Sequence, residues 1–247
     1  MTLPALLRRA AGAAFVLACT AAHADLKVGV DLSSTGPAAA IGITSKNAIL
    51  MWPKTIAGQL VQVTVLDDAS DPGTAVRNIR KLVDEDHVDV VVGPNITPAA
   101  LAALDAVAAA QTPMITLVGS GAIVEPQEGA RTWAFKMAQS DSAMADVMTR
   151  YMANHGVKTV GFIGFADSYG DSWLNEFTRF AQVRKIRVIA TERFNRTDAS
   201  VTGQALKLIA AKPDAILVAG SGTPAVLPQR TLIERGYKGA IYQTHGI

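Results

Sequence analysis

Short apolar runs alternate with longer stretches of helical periodicity from residue 26 onward. The runs predict strands at residues 26–31, 60–66, 88–92, 114–117, 159–164, 187–191 and 215–218. The stretches between and after them predict helices at residues 44–55, 72–85, 98–110, 142–155, 170–183, 201–211 and 224–235. The strand VDVVV is apolar almost throughout, which is typical of parallel strands covered on both faces. The pattern predicts an α/β fold of doubly wound parallel sheets, with ligands bound at the carboxyl ends of the strands.

Helix ends are marked by capping residues. A side chain that can cap, followed by a proline, predicts three helix starts: Asp71-Pro72, Thr97-Pro98 and Thr223-Pro224. Gly156 and Gly236 follow predicted helices and are predicted to end them in the left-handed conformation.

The segment ARTWAFKMAQSD, residues 130–141, interrupts this alternation. We interpret it as a crossover between two lobes. The predicted first lobe spans residues 25–140, and the predicted second lobe spans residues 141–247.

The first 24 residues have the pattern of a secretory signal peptide. Arg8 and Arg9 precede an apolar stretch, and Ala-His-Ala at 22–24 matches a cleavage site before Asp25. The alternative is a lipoprotein signal, in which Cys19 becomes the lipidated N-terminus. Either signal predicts export, and the predicted location is the periplasm.

Composition excludes several classes of protein. The single cysteine excludes a disulfide scaffold, and the four histidines are too scattered for a familiar metal site, so we predict no metal and no cofactor. Arg8 and Arg9 account for the formal net charge of +2, and the chain after them is balanced. A balanced chain has no electrostatic basis for binding nucleic acid.

Enzyme motifs are missing from the sequence. It contains no phosphate-binding loop, no dinucleotide-binding glycine motif after the first strand and no G-x-S-x-G elbow. Ser120 and Ser221 lie in glycine–serine turns and are predicted to be turn residues rather than nucleophiles. Asp67-Asp68 could be a carboxylate pair for a metal or for acid–base chemistry, but we interpret it as fixing the turn after a strand.

Five sequence blocks, in order, carry a resemblance to a known family. They are LKVGVDLSSTGP at 26–37, VLDDASDPGTAVR at 65–77, VVVGPNITP at 90–98, MITLVGS at 114–120 and ADSYG at 166–170. The chain resembles the periplasmic solute-binding proteins of branched-chain amino acid ABC transporters, and related receptors for amides and aromatic acids. The resemblance implies the type I periplasmic binding fold, with a ligand cleft between two lobes. Family members run well beyond 300 residues, so we expect the C-terminal part of the family fold, including the last units of the first lobe, to be missing. A natural short form is the alternative.

Residue types and the resemblance together define a predicted ligand site. A helix N-terminus favours an anion, and Thr97 precedes such a helix, while Ser120 follows the fourth strand. The resemblance implies that Thr97 contacts the ligand carboxylate and that Val118 and Ser120 offer a carbonyl and a hydroxyl. It also implies that Ile41 lines the pocket and that Tyr169 closes over the ligand from the second lobe. Asn95 completes this first-lobe set.

Two positions depart from the amino-acid-binding pattern. His245 stands where the family usually presents an acid to the ligand ammonium, and Gly222 stands where an aromatic residue is frequent. A histidine is a poor partner for an ammonium. We therefore predict a receptor without catalytic activity that delivers a small carboxylate, such as a benzoate derivative, to an ABC permease. The alternatives are an aliphatic amino acid receptor, a ligand sensor of the same fold and an exported α/β hydrolase.

Overall fold

The computed structural model describes residues 25–246, so the predicted signal peptide and Cys19 lie outside the described residues. The strands are β1 Leu26–Leu32, β2 Thr55–Ile56, β3 Gln59–Asp67, β4 Val90–Val92, β5 Met114–Thr116, β6 Ala134–Lys136, β7 Thr159–Phe165, β8 Arg187–Phe194, β9 Ala215–Ala219 and β10 Ala240–Gln243. The α-helices are α1 Ala39–Ile49, α2 Pro72–Arg80, α3 Thr97–Ala109, α4 Asp141–Asn154, α5 Ser168–Val183, α6 Thr202–Ala210 and α7 Val226–Glu234.

The first sheet has the strand order β2-β3-β1-β4-β5-β6. All its pairs are parallel except β2 with β3, and Val28 of β1 lies opposite both Val63 and Val90. Helices α2 and α3 pack on one face of the sheet over a buried core that includes Leu82, Val91 and Met114. The other face packs near α1, where Trp52 and its neighbours are only partly buried.

The second sheet has the order β10-β9-β7-β8, and all its pairs are parallel. Its core holds large aromatic side chains that are fully buried, among them Phe162, Phe165, Trp173 and Phe177. Strand β9 is buried along its whole length, as expected for a parallel strand covered on both faces.

The predicted crossover needs a correction. Residues Ala134–Lys136 form β6, which pairs in parallel with β5 at the edge of the first sheet. The crossing between the sheets is therefore shorter than predicted, and α4 begins directly after it at Asp141. A three-residue edge strand was missed because it is too short to show an alternating pattern.

The predicted helix starts have mixed outcomes. Asp71 caps α2 by accepting a hydrogen bond from the Thr74 N–H at 2.7 Å, which confirms that prediction. The capping predictions for Thr97 and Thr223 are wrong, because the residues before them, Ile96 and Gly222, are the N-caps and neither gives a side-chain cap.

Other helix ends also differ from the predictions in detail. Gly156 and Gly236 have φ of 77° and 86°, so the predicted left-handed ends are confirmed. Helix α1 spans Ala39–Ile49 rather than residues 44–55, because the chain turns into it directly after Pro37.

The carboxyl ends of strands from both sheets meet at one cleft. Asn95, Val118 and Tyr169 follow β4, β5 and β7, while Arg196, Ser221 and His245 follow β8, β9 and β10. Ligands of open α/β sheets bind in such crevices, so this cleft is the candidate site. Among residues 25–246, no helix is long and apolar enough to cross a membrane.

Candidate ligand-binding site between the two sheets

A cavity of about 60 Å³ lies between the two sheets. Its lining residues are Ile41, Asn95, Ile96, Thr97, Leu117, Val118, Gly119, Tyr169, Arg196, Ser221, His245 and Gly246. A wider mouth of about 480 Å³ adjoins it and shares Ile41 and Gly246 with it. The mouth is also lined by Ala40, Thr44, Ser45, Gly222, Thr223 and Val226.

The first-sheet wall is built at the start of α3. Asn95 accepts a hydrogen bond from the Ser33 N–H through Oδ1 at 2.8 Å, which orients its amide. Asn95 Nδ2 and Thr97 Oγ1 are buried and have no partner within residues 25–246. Free N–H groups and the helix dipole make this helix start favourable for an anion. This wall therefore offers neutral donors to an acceptor-rich ligand.

The second-sheet wall carries a cation, Arg196. Its Nε donates to Asp167 Oδ2 at 2.7 Å, and its Nη1 donates to Ser221 Oγ at 3.3 Å. The guanidinium lies 4.0 Å from the centre of the Phe165 ring. Its remaining nitrogen, Nη2, is buried with no hydrogen-bond partner in the described part of the chain.

Asp167 holds Arg196 in place from the start of α5. Its Oδ1 caps α5 by accepting from the N–H groups of Tyr169 at 2.9 Å and Gly170 at 3.2 Å. The other carboxylate oxygen, Oδ2, pairs with Arg196. The helix cap fixes the Asp167 carboxylate, and the fixed carboxylate in turn orients the Arg196 guanidinium at the cavity wall.

Tyr169 ties α5 to the segment after β10. Its hydroxyl lies 2.9 Å from Thr244 Oγ1 and 3.0 Å from the His245 carbonyl oxygen, and it can also donate to the Gly220 carbonyl at 3.3 Å. Burial raises the pKa of the Tyr169 hydroxyl, so it stays protonated. Tyr169 is thus both a wall of the cavity and the support of His245.

A buried carboxyl group lies behind His245. Asp141 Oδ1 is 3.6 Å from His245 Nε2, and Asp141 Oδ2 accepts from Ser172 at 2.8 Å. Burial raises the pKa of Asp141 to about 6, against the opposing effect of the Ser172 hydrogen bond. Burial also lowers the pKa of His245, with Lys136 acting in the same direction, so the imidazole is neutral at pH 7.

The structure places six of the eight predicted site residues at the cavity: Ile41, Asn95, Thr97, Val118, Tyr169 and His245. Gly222 lies at the mouth, where its φ of 63° suits glycine. Ser120 lies apart from both, in a separate groove beside Ser168 and Ser172 of α5.

Two features of the site were missed from the sequence. Arg196 follows β8 inside the tripeptide Asn195-Arg-Thr197, where residue type alone gives no sign of a ligand contact. Asp141 marks the start of a helix, and the position taken by His245 was interpreted as having lost its acid. Only the fold brings Asp141 to 3.6 Å from that histidine.

The surroundings of Ser120, Ser221 and the Asp67-Asp68 pair bear on the alternatives considered from the sequence. Neither Ser120 Oγ nor Ser221 Oγ hydrogen-bonds a histidine among the residues placed by the structure. Asp67 accepts from the N–H groups of Ser34 and Ala69, both at 2.9 Å, so it fixes the turn as predicted. No group of three or more His, Cys, Asp or Glu side chains within residues 25–246 is arranged to hold a metal.

Asp68 is buried against Asp31 behind the first-sheet wall. Asp31 Oδ1 accepts from Asn78 Nδ2 at 2.7 Å, and Asp68 Oδ1 accepts from the Ser70 N–H at 2.7 Å. Burial raises the pKa of Asp31, and the facing Asp68 carboxyl adds to the effect. Burial likewise raises the pKa of Asp68.

Comparisons with known proteins define the class. A sequence profile of the periplasmic binding proteins matches residues 25–246, so this chain belongs to that family. The type I periplasmic binding fold and the resemblance to leucine-binding-like receptors are thereby confirmed.

Three similar proteins illustrate the family. The crystal structure of an extracellular ligand-binding receptor from Rhodopseudomonas palustris HaA2 is 44% identical, with a TM-score of 0.88 over 90% of this chain and 62% of that chain. Leu/Ile/Val-binding protein homolog 3 of Brucella melitensis biotype 1 is 26% identical over 98% of this chain and 67% of its own length. A solute-binding protein of an ABC transporter from Rhodopseudomonas palustris BisB5, solved with 3,4-dihydroxybenzoic acid, has a TM-score of 0.81 at 24% identity over 90% of this chain and 62% of that chain, which shows the shared fold alone. The chain thus spans about 62% of the length of both structural relatives.

Proposed function

We propose that this protein is an exported solute-binding receptor of an ABC importer. Its two lobes close over a small carboxylate, best matched by an aromatic acid such as a benzoate derivative, and a membrane permease receives the loaded form. The observation that carries the proposal is the cavity lined by both sheets, with buried donors on each wall. A ligand that contacts both walls stabilises the closed state.

The charges at the cavity favour a carboxylate without an ammonium group. Thr97 and the start of α3 suit an anion, and Arg196 is a cation on the opposite wall. Asp167 is already engaged by Arg196, and Asp141 lies behind His245 rather than at the lining. The lining would therefore present the repelling Arg196 guanidinium to an ammonium group, and no free carboxylate.

The volume of the cavity constrains how an aromatic ligand binds. About 60 Å³ holds roughly two water molecules, whereas benzene occupies an engineered cavity of about 150 Å³. A ring must therefore hold the lobes farther apart than in this structure or extend past Ile41 into the mouth. The mouth is apolar at Ile41 and Val226, which suits such an extension of the ring.

The similar proteins support a receptor for either of two ligand types. The receptor from strain BisB5 binds 3,4-dihydroxybenzoic acid, so the fold accepts a hydroxylated benzoate. The Brucella relative is named for leucine, isoleucine and valine, and an aliphatic amino acid is the second candidate. For that ligand the ammonium would have to displace His245 to reach Asp141.

Ligand-dependent thermal unfolding of the purified full chain tests the proposal. The panel contains leucine, valine, acetamide, benzoate and 4-hydroxybenzoate, each measured over a range of concentrations. A ligand at a hundred times its Kd stabilises the folded state by about 2.7 kcal/mol, which shifts Tm measurably.

A concentration-dependent shift with the benzoates and none with leucine supports the aromatic acid. A shift with leucine or valine alone overturns that ligand but leaves the receptor class. If a folded sample is not shifted by any compound in the panel, the proposed ligand class is wrong.

A further inference from the structure

Two buried nitrogen atoms stand at the second-sheet end of the cavity. Arg196 Nη2 and His245 Nδ1 both belong to lining residues, and neither has a partner within residues 25–246. Buried polar atoms in native proteins are almost always paired. A bound group is therefore expected to complete both.

The two nitrogens have complementary chemistry. A guanidinium keeps its protons, so Arg196 Nη2 can only donate. His245 turns Nε2 toward Asp141 Oδ1 at 3.6 Å, and the negative Asp141 favours the tautomer with its proton on Nε2. Burial lowers the pKa of His245, so the imidazole is neutral and Nδ1 accepts.

A hydroxyl group matches this donor and acceptor together. Its oxygen accepts from Arg196 Nη2, and its hydrogen is donated to His245 Nδ1. A second carboxylate on the ligand could accept but not donate, and it would face the charges of Asp141 and Asp167. An ammonium group could donate but would be repelled by Arg196.

We propose that Arg196 and His245 select a hydroxyl group at the second-sheet end of the ligand, so that the preferred ligands are hydroxy acids. This inference rests on the proposed function, because it assigns one end of a carboxylate ligand bound in the same cavity. The confined space supports it, since Arg196 and His245 line the same cavity of about 60 Å³.

Isothermal titration of the full chain with matched ligands tests the selection. The ligands are benzoate, 4-hydroxybenzoate, 4-methoxybenzoate and terephthalate, with cinnamate and 4-hydroxycinnamate as a longer pair. The proteins are wild type, Arg196→Met and the control Arg193→Met. Arg193 lies on β8 with its guanidinium 5.5 Å from the centre of the Phe162 ring, and it pairs with Asp171 of α5 at 2.7 Å, but it does not line the cavity.

In the wild type and in Arg193→Met, we expect the hydroxyl to improve Kd by about tenfold or more in at least one matched pair, as for a hydrogen bond to a charged group. In Arg196→Met this advantage falls below about threefold. The methoxy compound accepts but cannot donate, so it should lose most of the advantage in the wild type, a comparison that needs no variant.

Three outcomes overturn the inference. Equal binding of acids with and without the hydroxyl in the wild type does so, as does tighter binding of terephthalate than of 4-hydroxybenzoate. A hydroxyl advantage that survives Arg196→Met does so as well. Each leaves the receptor intact, whereas failure of all these acids to bind the wild type overturns the proposed ligand class together with this inference.

Discussion

The two walls of the cavity are built in different ways. The first-sheet wall presents neutral donors, Asn95 and Thr97, at a helix start. The second-sheet wall presents Arg196 and His245, each with an aspartate behind it. The donors of the first wall lie at one helix start, with Asn95 oriented by the Ser33 N–H, whereas the second wall depends on charges brought together from distant segments. The second wall should therefore respond more strongly to mutation and to pH.

The largest expected effect comes from the buried carboxyl of Asp141. Its pKa is raised from 3.8 to about 6, so the folded state holds this proton more tightly than the unfolded state does. The contribution of Asp141 to stability should therefore fall as pH rises from about 4 to about 6, by up to about 3 kcal/mol. Asp141→Asn should reduce the pH slope in urea unfolding measured from pH 4 to pH 7, and the slope due to the raised pKa of Asp31 should remain.

Asp214 provides the control with the opposite sign. It is exposed, and the Lys158 N–H and the Thr159 N–H and hydroxyl lower its pKa. Its contribution should be present above its ordinary pKa of 3.8 and lost as pH falls through the lowered value. A pH slope that is the same in wild type and Asp141→Asn would contradict the assignment.

The next effect compares the two aspartate caps. Asp167→Ala removes the cap of α5 and also leaves Arg196 buried without its partner, so we expect a loss of about 2–4 kcal/mol. Asp71→Ala removes an exposed cap of α2 and should cost about 1 kcal/mol. Denaturant unfolding of the two variants measures both. Equal losses of unfolding free energy in the two variants would mean that the ion pair of Asp167 with Arg196 does not contribute to stability.

A smaller loss is expected from Tyr169→Phe. The variant removes a buried hydroxyl shared by Thr244 and the His245 carbonyl, at about 1–2 kcal/mol. Tyr237→Phe is the control, because its hydroxyl makes one bond, to the Pro213 carbonyl at 3.1 Å, and is half-buried. Thermal unfolding should show the larger drop in Tm for Tyr169→Phe. The reverse order would argue against Tyr169 as the support of His245.

The smallest effect on stability is expected at the first wall. Thr97 Oγ1 is buried without a partner in the described residues, so Thr97→Val should leave the ligand-free protein within about 0.5 kcal/mol of wild type. Affinity for the acid should nevertheless drop about tenfold, because we propose that this hydroxyl bonds the ligand carboxylate.

Thr116→Val is the matched control for that prediction. Thr116 Oγ1 is likewise buried and unpaired within residues 25–246, but Thr116 does not line the cavity. Titration should show unchanged affinity in this variant. Equal affinity in both variants would remove Thr97 from the site.

Local sequence patterns predicted much of the fold. Apolar runs such as residues 88–92 and 215–218 indicated parallel strands, because both faces of such strands are covered. Asp71-Pro72 located the start of α2 because cap and helix are neighbours in the chain. Thr97-Pro98 misled, because a capping residue type does not ensure that its side chain turns back to the helix.

The candidate site likewise contains residues that were predicted from the sequence and a residue that was missed. Thr97 was predicted from the helix start that it precedes and from the family resemblance, and Tyr169 was predicted from the resemblance carried by ADSYG at 166–170. Arg196 was missed because its partners are Asp167 and Ser221, which lie 29 and 25 residues away. No window of sequence contains that arrangement.

Hydrophobic periodicity and short motifs were sufficient to predict the family and most of the alternation of strands and helices. They did not predict β2, β6 and β10, because strands of two to four residues are too short to show a periodicity. Asp141, which follows β6 of the first sheet, lies behind His245, and Arg196 lines the cavity. Neither position could be predicted from the sequence, because the contacting residues are far apart in the chain. The charge of a buried side chain depends on its burial and on the charged groups that face it, as well as on its residue type. Long-range packing sets both, and it also decides which polar atoms remain unpaired and can bind a ligand.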